Sequence, residues 1–279
     1  MQNKEPIGKR HKKSDWPFFS VLIVISSFYI VLLLSLLISD ALYITPSDFW
    51  ETLKSPEIQY SIKLSLFSCT ITTILSLIVA VPISYLMSHF QFKGKSILDG
   101  ILDIPIVLPP LVIGISLLIL FNQTPFLKIF DREIFPITYE IPSIILAQFM
   151  VACAFAVRTL RGCFEQINPR QEQVALTLGC SQSQAFWKVV LPQANYGLIS
   201  AATIAWARSL GEFGPILIFS GLTRMKTEVL SSSVYLELSV GNLKGAISIS
   251  LLMIFTAMVV LIVMRNYGTM QSTRKGANR

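Results

Sequence analysis

From Trp16 to Ser39 the chain carries no charged residue. A helix needs about 20 residues, at about 1.5 Å each, to cross the roughly 30 Å hydrocarbon core of a bilayer, and this run is long enough. Comparable apolar runs lie at about 64–87, 104–120, 141–157, 196–221 and 246–264. In hydrocarbon a backbone must satisfy its own hydrogen bonds, so such runs are expected to be helical. The sequence therefore predicts an all-α polytopic membrane protein with about six transmembrane helices. Composition agrees: charged residues are 14% of the chain, where a soluble domain carries about 25%. Lys4, Lys9, Arg10, Lys12 and Lys13 precede the first run. That run is longer than the roughly 7–15 apolar residues of a signal peptide and has no A-x-A site, so it is expected to span.

Sidedness follows from the cations. The two tails with loops 88–103 and 158–193 hold 15 Lys and Arg against 6 Asp and Glu, and the other three loops hold 7 against 9. The positive-inside rule places both termini and loop 158–193 in the cytoplasm of a cell-membrane protein. The expected organisation is a basic cytoplasmic tail (1–15), a first transmembrane helix (16–39), an acidic external segment punctuated by Pro46 and Pro56, a five-helix core (57–265) and a cytoplasmic tail (266–279). The net charge of +7 is thus a topology signal, and no nucleic-acid partner is expected. The basic start is also able to meet anionic membrane lipid.

The sizeable polar segment of the second half, 171–192, is built as a structured element. Asn168 and Pro169 supply a helix cap and first position, and Gln171 completes a capping-box spacing. Val174, Leu176 and Leu178 offer apolar contacts, and Gly179 can take the left-handed conformation that ends a helix. Ser181 and Gln184 repeat the capping-box spacing ahead of Phe186, Trp187 and Val190. Helix, glycine turn and second helix between two membrane-length runs read as a docking element.

Three places break the blandness of the membrane segments. Pro105, Pro109 and Pro110 open the third run. They mark either a helix start at the interface or an interrupted helix lining a pore or gate, since irregular backbone at membrane depth needs protein or water around it. In the fifth run, Arg208 and Glu212 stand four apart on one helical face, where they can pair, with Gly211, Gly214 and Pro215 weakening the helix beside them. Neither charge belongs alone in lipid. The pair is a constriction on an anion's path or a structural ion pair. Gly197, Ser200, Ala201, Ala202 and Ala205 form a close-packing face.

Other chemistries find no residues. His11 and His89 are far apart and no metal site is expected. None of Cys69, Cys153, Cys163 and Cys180 falls in an external loop, so free thiols are expected. No G-x-x-x-x-G-K-[ST] loop occurs, so the chain is not expected to hydrolyse nucleotide, and no enzyme-like cluster sits at either membrane face.

Gln173-Val174-Ala175, Gly179 and, nine residues on, Val189-Val190-Leu191-Pro192 resemble the E-A-A-x3-G-x9-I-x-L-P loop of the permease subunits of bacterial and archaeal ABC importers. Gln173 stands where Glu is usual, Val174 where Ala is and Val189 where Ile is, while Glu172 lies one residue early. RSLGEFGPILIFSG (208–221) and LDIPIVLPPLVIGISLLILF (102–121) resemble the molybdate and sulfate class, and VYLELSVGNLKGAISISLL (234–252) its molybdate/tungstate branch. The resemblance implies an ABC importer permease fold with a cytoplasmic coupling helix, whose ATPase-coupling residues are Gln173, Val174, Ala175, Gly179, Val189, Leu191 and Pro192. It implies a translocation path or gate at Pro109, Pro110, Arg208, Gly211, Glu212 and Gly214. It further implies a second permease copy, an ABC ATPase subunit that consumes ATP with Mg, and an extracytoplasmic oxyanion-binding protein, with no cofactor on this chain. The expected function is ATP-driven import of a tetrahedral oxyanion, molybdate or tungstate, by alternating access. A sulfate/thiosulfate importer, an amino-acid or sugar permease and an ATP-independent secondary anion transporter are the alternatives. The last leaves the capped cytoplasmic loop unexplained.

Overall fold

The computed structural model describes residues 16–276; the basic segment 1–15 and residues 277–279 lie outside the described residues. Every regular element among the described residues is helical. The chain forms two compact units, one up to Thr45 and one from Pro46 onward. The first contains α1 (Trp16–Tyr43), which is apolar around its whole circumference and continues through Asp40.

In the second unit the two prolines expected as breakers start helices. Pro46 opens the short α2 (Pro46–Lys54), which the sequence reading did not foresee, and Pro56 opens α3 (Pro56–His89). At a first helical position the missing N–H costs nothing, and the Ser55 hydroxyl caps the Ile58 N–H. With 34 residues, α3 is about 50 Å long. It overruns a hydrocarbon core of roughly 30 Å, so polar residues at its ends can lie outside the lipid.

The chain continues through α4 (Lys95–Val107), α5 (Pro110–Gln123) and α6 (Pro125–Ile129), with a π-helical turn at Phe130–Ile134. Burial pushes the Asp131 carboxyl up, but the N–H groups of Thr138 and Ile137, which it accepts at 2.8 and 2.6 Å, hold it below the usual aspartate range. Next come α7 (Ile141–Glu165), the loop helices α8 (Pro169–Thr177), α9 (Gln182–Ala185) and α10 (Leu191–Gln193), then α11 (Asn195–Leu210), α12 (Gly214–Phe219), α13 (Leu230–Ser239) and α14 (Leu243–Gly276). The helical backbone of α14 thus runs on through most of the segment read as a 266–279 tail.

Among the described residues, four helices are long and apolar enough to cross a membrane by length and composition: α1, α3, α7 and α14. The run expected at 104–120 straddles a break, because α4 and α5 meet at 110° across Leu108 and Pro109; as one bent pair they make a fifth. The run expected at 196–221 is not one helix either. It stops at Leu210 and resumes as α12 at Gly214.

The core is organised on α3. Ser61, Ser65, Ser68, Thr72, Ser76, Ala80 and Ser84 repeat at helical spacing along its buried face. Small side chains let backbones approach closely where lipid gives helices no hydrophobic drive to associate. Against this stripe pack α7 and α11, with the Ser84 hydroxyl donating to Val157 O at 2.9 Å. The small-residue face of α11 behaves as expected at Gly197, Ala201, Ala202 and Ala205, which are buried, while Ser200 is exposed. At Gly197 an added Cβ would lie 2.3 Å from Cys163 Sγ. Gly197→Leu therefore separates α11 from α7. The expected cost is about 1–3 kcal/mol, read as a lowered unfolding temperature in detergent.

Candidate functional site

The two irregular stretches of the sequence meet. Pro109 caps α5 and Pro110 is its first residue, so the break uses two residues with no donor to leave unsatisfied. Opposite lies the gap between α11 and α12. The contact between them is closed by glycines: a Cβ at Gly214 would lie 2.9 Å from Pro110 Cβ, and one at Gly114 would lie 2.9 Å from Pro215 Cα. Each helix thus seats a glycine against the other's proline. Phe121 and Phe219 extend the packing with rings 5.3 Å apart, a contact worth about 0.5–1.5 kcal/mol beyond area burial.

The open end of the α11 helix is satisfied by side chains. Gln148, buried on α7, donates from Nε2 to Ser209 O at 3.1 Å and accepts the Thr72 hydroxyl at 3.1 Å. The Ser231 hydroxyl donates to Glu212 O at 2.6 Å. Neither Gln148 nor Ser231 stood out in the sequence, although a lone amide inside the apolar run 141–157 was a signal available to find the first.

Arg208 and Glu212 do pair, with Nη2 to Oε1 2.7 Å. The carboxylate is buried at 1% exposure while the guanidinium is 31% exposed, and Arg208 also lies over the Phe155 ring at 5.6 Å. An open cavity of about 380 Å³ is lined by Pro109, Pro110, Leu111, Arg208, Gly211, Glu212, Phe213, Gly214 and Leu217. All six residues expected on the path or gate are therefore brought to one wall. That wall is apolar with a single ion pair, so it offers a cation without an enclosing cage.

The coupling-loop residues form a second cluster. Asn168 caps α8, but its side chain accepts from the Arg170 N–H and does not close a box with Gln171. Gly179 has φ +90°, and its N–H and that of Cys180 bond back to Leu176 O and Ala175 O. This paired pattern ends a helix through a left-handed residue. The Ser181–Gln184 box forms in both directions. The following helix carries a π-helical turn at Phe186–Val190 before α10. Of the apolar residues offered for contacts on α8, Val174 and Leu178 are 56% and 80% exposed and Leu176 is half-buried, while Ala175 takes the buried face; Trp187 on the second helix is 63% exposed. Gln173 and Gly179 are also exposed, whereas Val189, Leu191 and Pro192 are half-buried. Glu172 turns inward to Tyr85 and His89 on α3, contacts that no spacing along the chain announces.

An all-helical bundle with two broken helices around one cavity, and a capped loop projecting apolar side chains, defines a membrane permease. Residues 65–273 match the family model described as binding-protein-dependent transport system inner membrane component, and the chain belongs to that family, the permease subunits of ABC importers. Its relatives lie in the sulfate and molybdate class. It is 29% identical to the sulfate transport system permease protein CysT of Escherichia coli over 87% of both chains. It is 29% identical to the molybdenum transport system permease protein ModB of Mycobacterium tuberculosis over 90% of this chain and 95% of that one. With the molybdate/tungstate transport system permease protein WtpB of Pyrococcus furiosus it shares 36% identity over 60% and 63% of the two. In fold it is similar to a chain of the crystal structure of a bacterial alginate ABC transporter in complex with an alginate pentasaccharide-bound periplasmic protein, with TM-score 0.72, 17% identity and coverage of 93% and 95%.

The buried pair yields a direct test. Arg208→Leu strands a buried carboxylate, at a cost of about 3–5 kcal/mol. The double change Arg208→Leu with Glu212→Leu restores most of the loss of unfolding temperature. A folded double variant that transports poorly places the pair on the path, and one that transports normally makes it structural.

Proposed function

We propose that the chain is the membrane subunit of an ATP-driven importer for a tetrahedral oxyanion, with molybdate or tungstate as the favoured cargo. Two copies face each other across the path, and both termini with the 168–193 loop lie in the cytoplasm. The observation that carries this reading is the cavity where Pro109, Pro110, Gly211, Gly214 and the Arg208–Glu212 pair converge. A dianion cannot cross hydrocarbon, so it needs a field that attracts without trapping. One partly exposed guanidinium per copy, paired through Nη2 with a buried carboxylate, supplies that.

Selection belongs to a separate extracytoplasmic binding protein; in support, the described residues form helices and short connections, with no lobe among them able to wrap an anion in backbone N–H groups. Energy belongs to a separate ATPase. In support, the chain contains no phosphate loop, and Val174, Leu178 and Trp187 present apolar surface on the projecting loop. ATP-driven closure of two ATPase subunits moves the paired loops and switches the path between inward- and outward-facing states. The 36% identity to a molybdate/tungstate permease over 60% of the chain supports that cargo, beside 29% to a sulfate permease over 87%.

The test is accumulation in proteoliposomes holding the chain with its ATPase and binding protein. ATP-dependent molybdate uptake, blocked by tungstate and unaffected by excess sulfate, is the expected outcome. Sulfate as the better competitor moves the cargo to the sister class, and uptake without ATP overturns the coupling reading. Gly179→Pro provides the internal control. Its φ near −65° is incompatible with +90° at this position, so the variant inserts in the membrane and loses ATP-driven uptake.

A further inference from the structure

Glu172 is the sole carboxylate of the 168–193 loop, and it points away from the loop's exposed surface. Its Oε1 accepts the Tyr85 hydroxyl at 2.5 Å and its Oε2 lies 3.3 Å from His89 Nε2. The Glu172 and His89 side chains are only 13% and 12% exposed. The Ser88 hydroxyl donates its one proton to Tyr85 O, at 3.0 Å, which leaves its lone pairs for His89 Nδ1, 2.8 Å away. The imidazole is thus held between the Ser88 hydroxyl at Nδ1 and the carboxylate at Nε2.

The Tyr85 ring also lies 4.7 Å from Phe186, beyond the Gly179 turn. One side chain at the end of α3 thus grips both halves of the loop: the first through Glu172, the second through Phe186. A projecting loop joined to the bundle only by its chain ends would dissipate a push in local bending. This one is tied to a helix. Further along, α3 is bonded to the break between α11 and α12 through Thr72, Gln148 and Ser209 O. Nearer its other end the Ser65 hydroxyl accepts the Leu230 N–H at 2.8 Å, and the Tyr60 hydroxyl donates to Lys226 O at 3.0 Å. The helix α3 is therefore hydrogen-bonded at one level to the loop, at another to the backbone beside the cavity, and near its other end to the segment around α13.

We propose that Tyr85 and His89 are positioning residues that clamp Glu172, and that through this clamp α3 carries the displacement of the loop to the broken helices around the cavity. Glu172 holds the loop to its own bundle and is not a contact to the ATPase. The inference rests on reading 168–193 as the ATPase-docking surface. The residues touch neither cargo nor nucleotide, so their loss uncouples hydrolysis from transport, a different effect from lost assembly.

The experiment compares wild type, Tyr85→Phe, Glu172→Gln and the double variant, each co-purified with the ATPase subunit and reconstituted with the binding protein. The readouts are ATPase subunit retained per permease, ATP hydrolysed, and molybdate and, separately, sulfate accumulated. Tyr85→Phe keeps the ring contacts and deletes only the hydroxyl. The expected result is unchanged retention and continued hydrolysis by Tyr85→Phe, with anion moved per ATP falling about tenfold, the order of one lost charge-assisted hydrogen bond. The double variant is expected to be no worse than either single, because both remove one shared interaction. His89→Gln, which keeps a donor for the carboxylate, retains more coupling than His89→Leu. Parallel loss of retention, hydrolysis and uptake overturns the clamp in favour of a purely structural role, as do full coupling in Tyr85→Phe or independent losses in the double variant. Wild type that retains no ATPase subunit refutes the docking reading itself, and with it this proposal.

Discussion

A chain in hydrocarbon has no water to which it can surrender a backbone hydrogen bond, and this protein interrupts two helices regardless. What makes that tolerable is local repair. Leu108 N–H still reaches Ile104 O at one break, and prolines occupy the positions after it. At the other, Gln148 caps Ser209 O, Ser231 caps Glu212 O, and the N–H of Leu217 finds Phe213 O. The side-chain repairs come from other helices, so the irregular backbone between α11 and α12 keeps them only while α7 and α13 stay assembled around it. The cavity and the bundle are in this sense one structure.

The buried stripe of α3 makes that assembly possible. Serine and threonine at helical spacing bring α7 and α11 close enough for single hydroxyls and one amide to bridge backbones. Leucine in those places would fill the same face with more apolar area but would hold the helices too far apart for Thr72 and Gln148 to meet. Close approach and polar repair are two uses of the same small residues.

Much of the framework was legible in the sequence, because it depends on near neighbours along the chain. The apolar runs, the caps at Asn168 and Ser181, the left-handed Gly179 and the i, i+4 pairing of Arg208 with Glu212 all follow from local spacing. The prolines at 109 and 110 and the glycines at 211 and 214 were each marked as irregular. Their meeting was not legible, since it depends on how α5 and α12 dock across about a hundred residues of sequence. The same limit explains Glu172, whose partners lie on α3. Hydropathy alone left one thing open: Val174 and Leu178 offered apolar contacts without a direction, and they are exposed while Ala175 and Glu172 occupy the inner side of α8.

The reciprocal seating of Gly114 on Pro215 and of Gly214 on Pro110 has a consequence for how such a protein changes through descent. Neither helix can gain even a methyl group at its glycine without colliding with what lies opposite, the ring and backbone at Pro110 for one and the backbone of Pro215 for the other. Like the teeth of two meshed wheels, the two glycines hold the helices in register. A lineage that exchanges either glycine must shift a whole helix with it, whereas Pro215, which meets Gly114 through atoms any residue carries, is less bound by this contact.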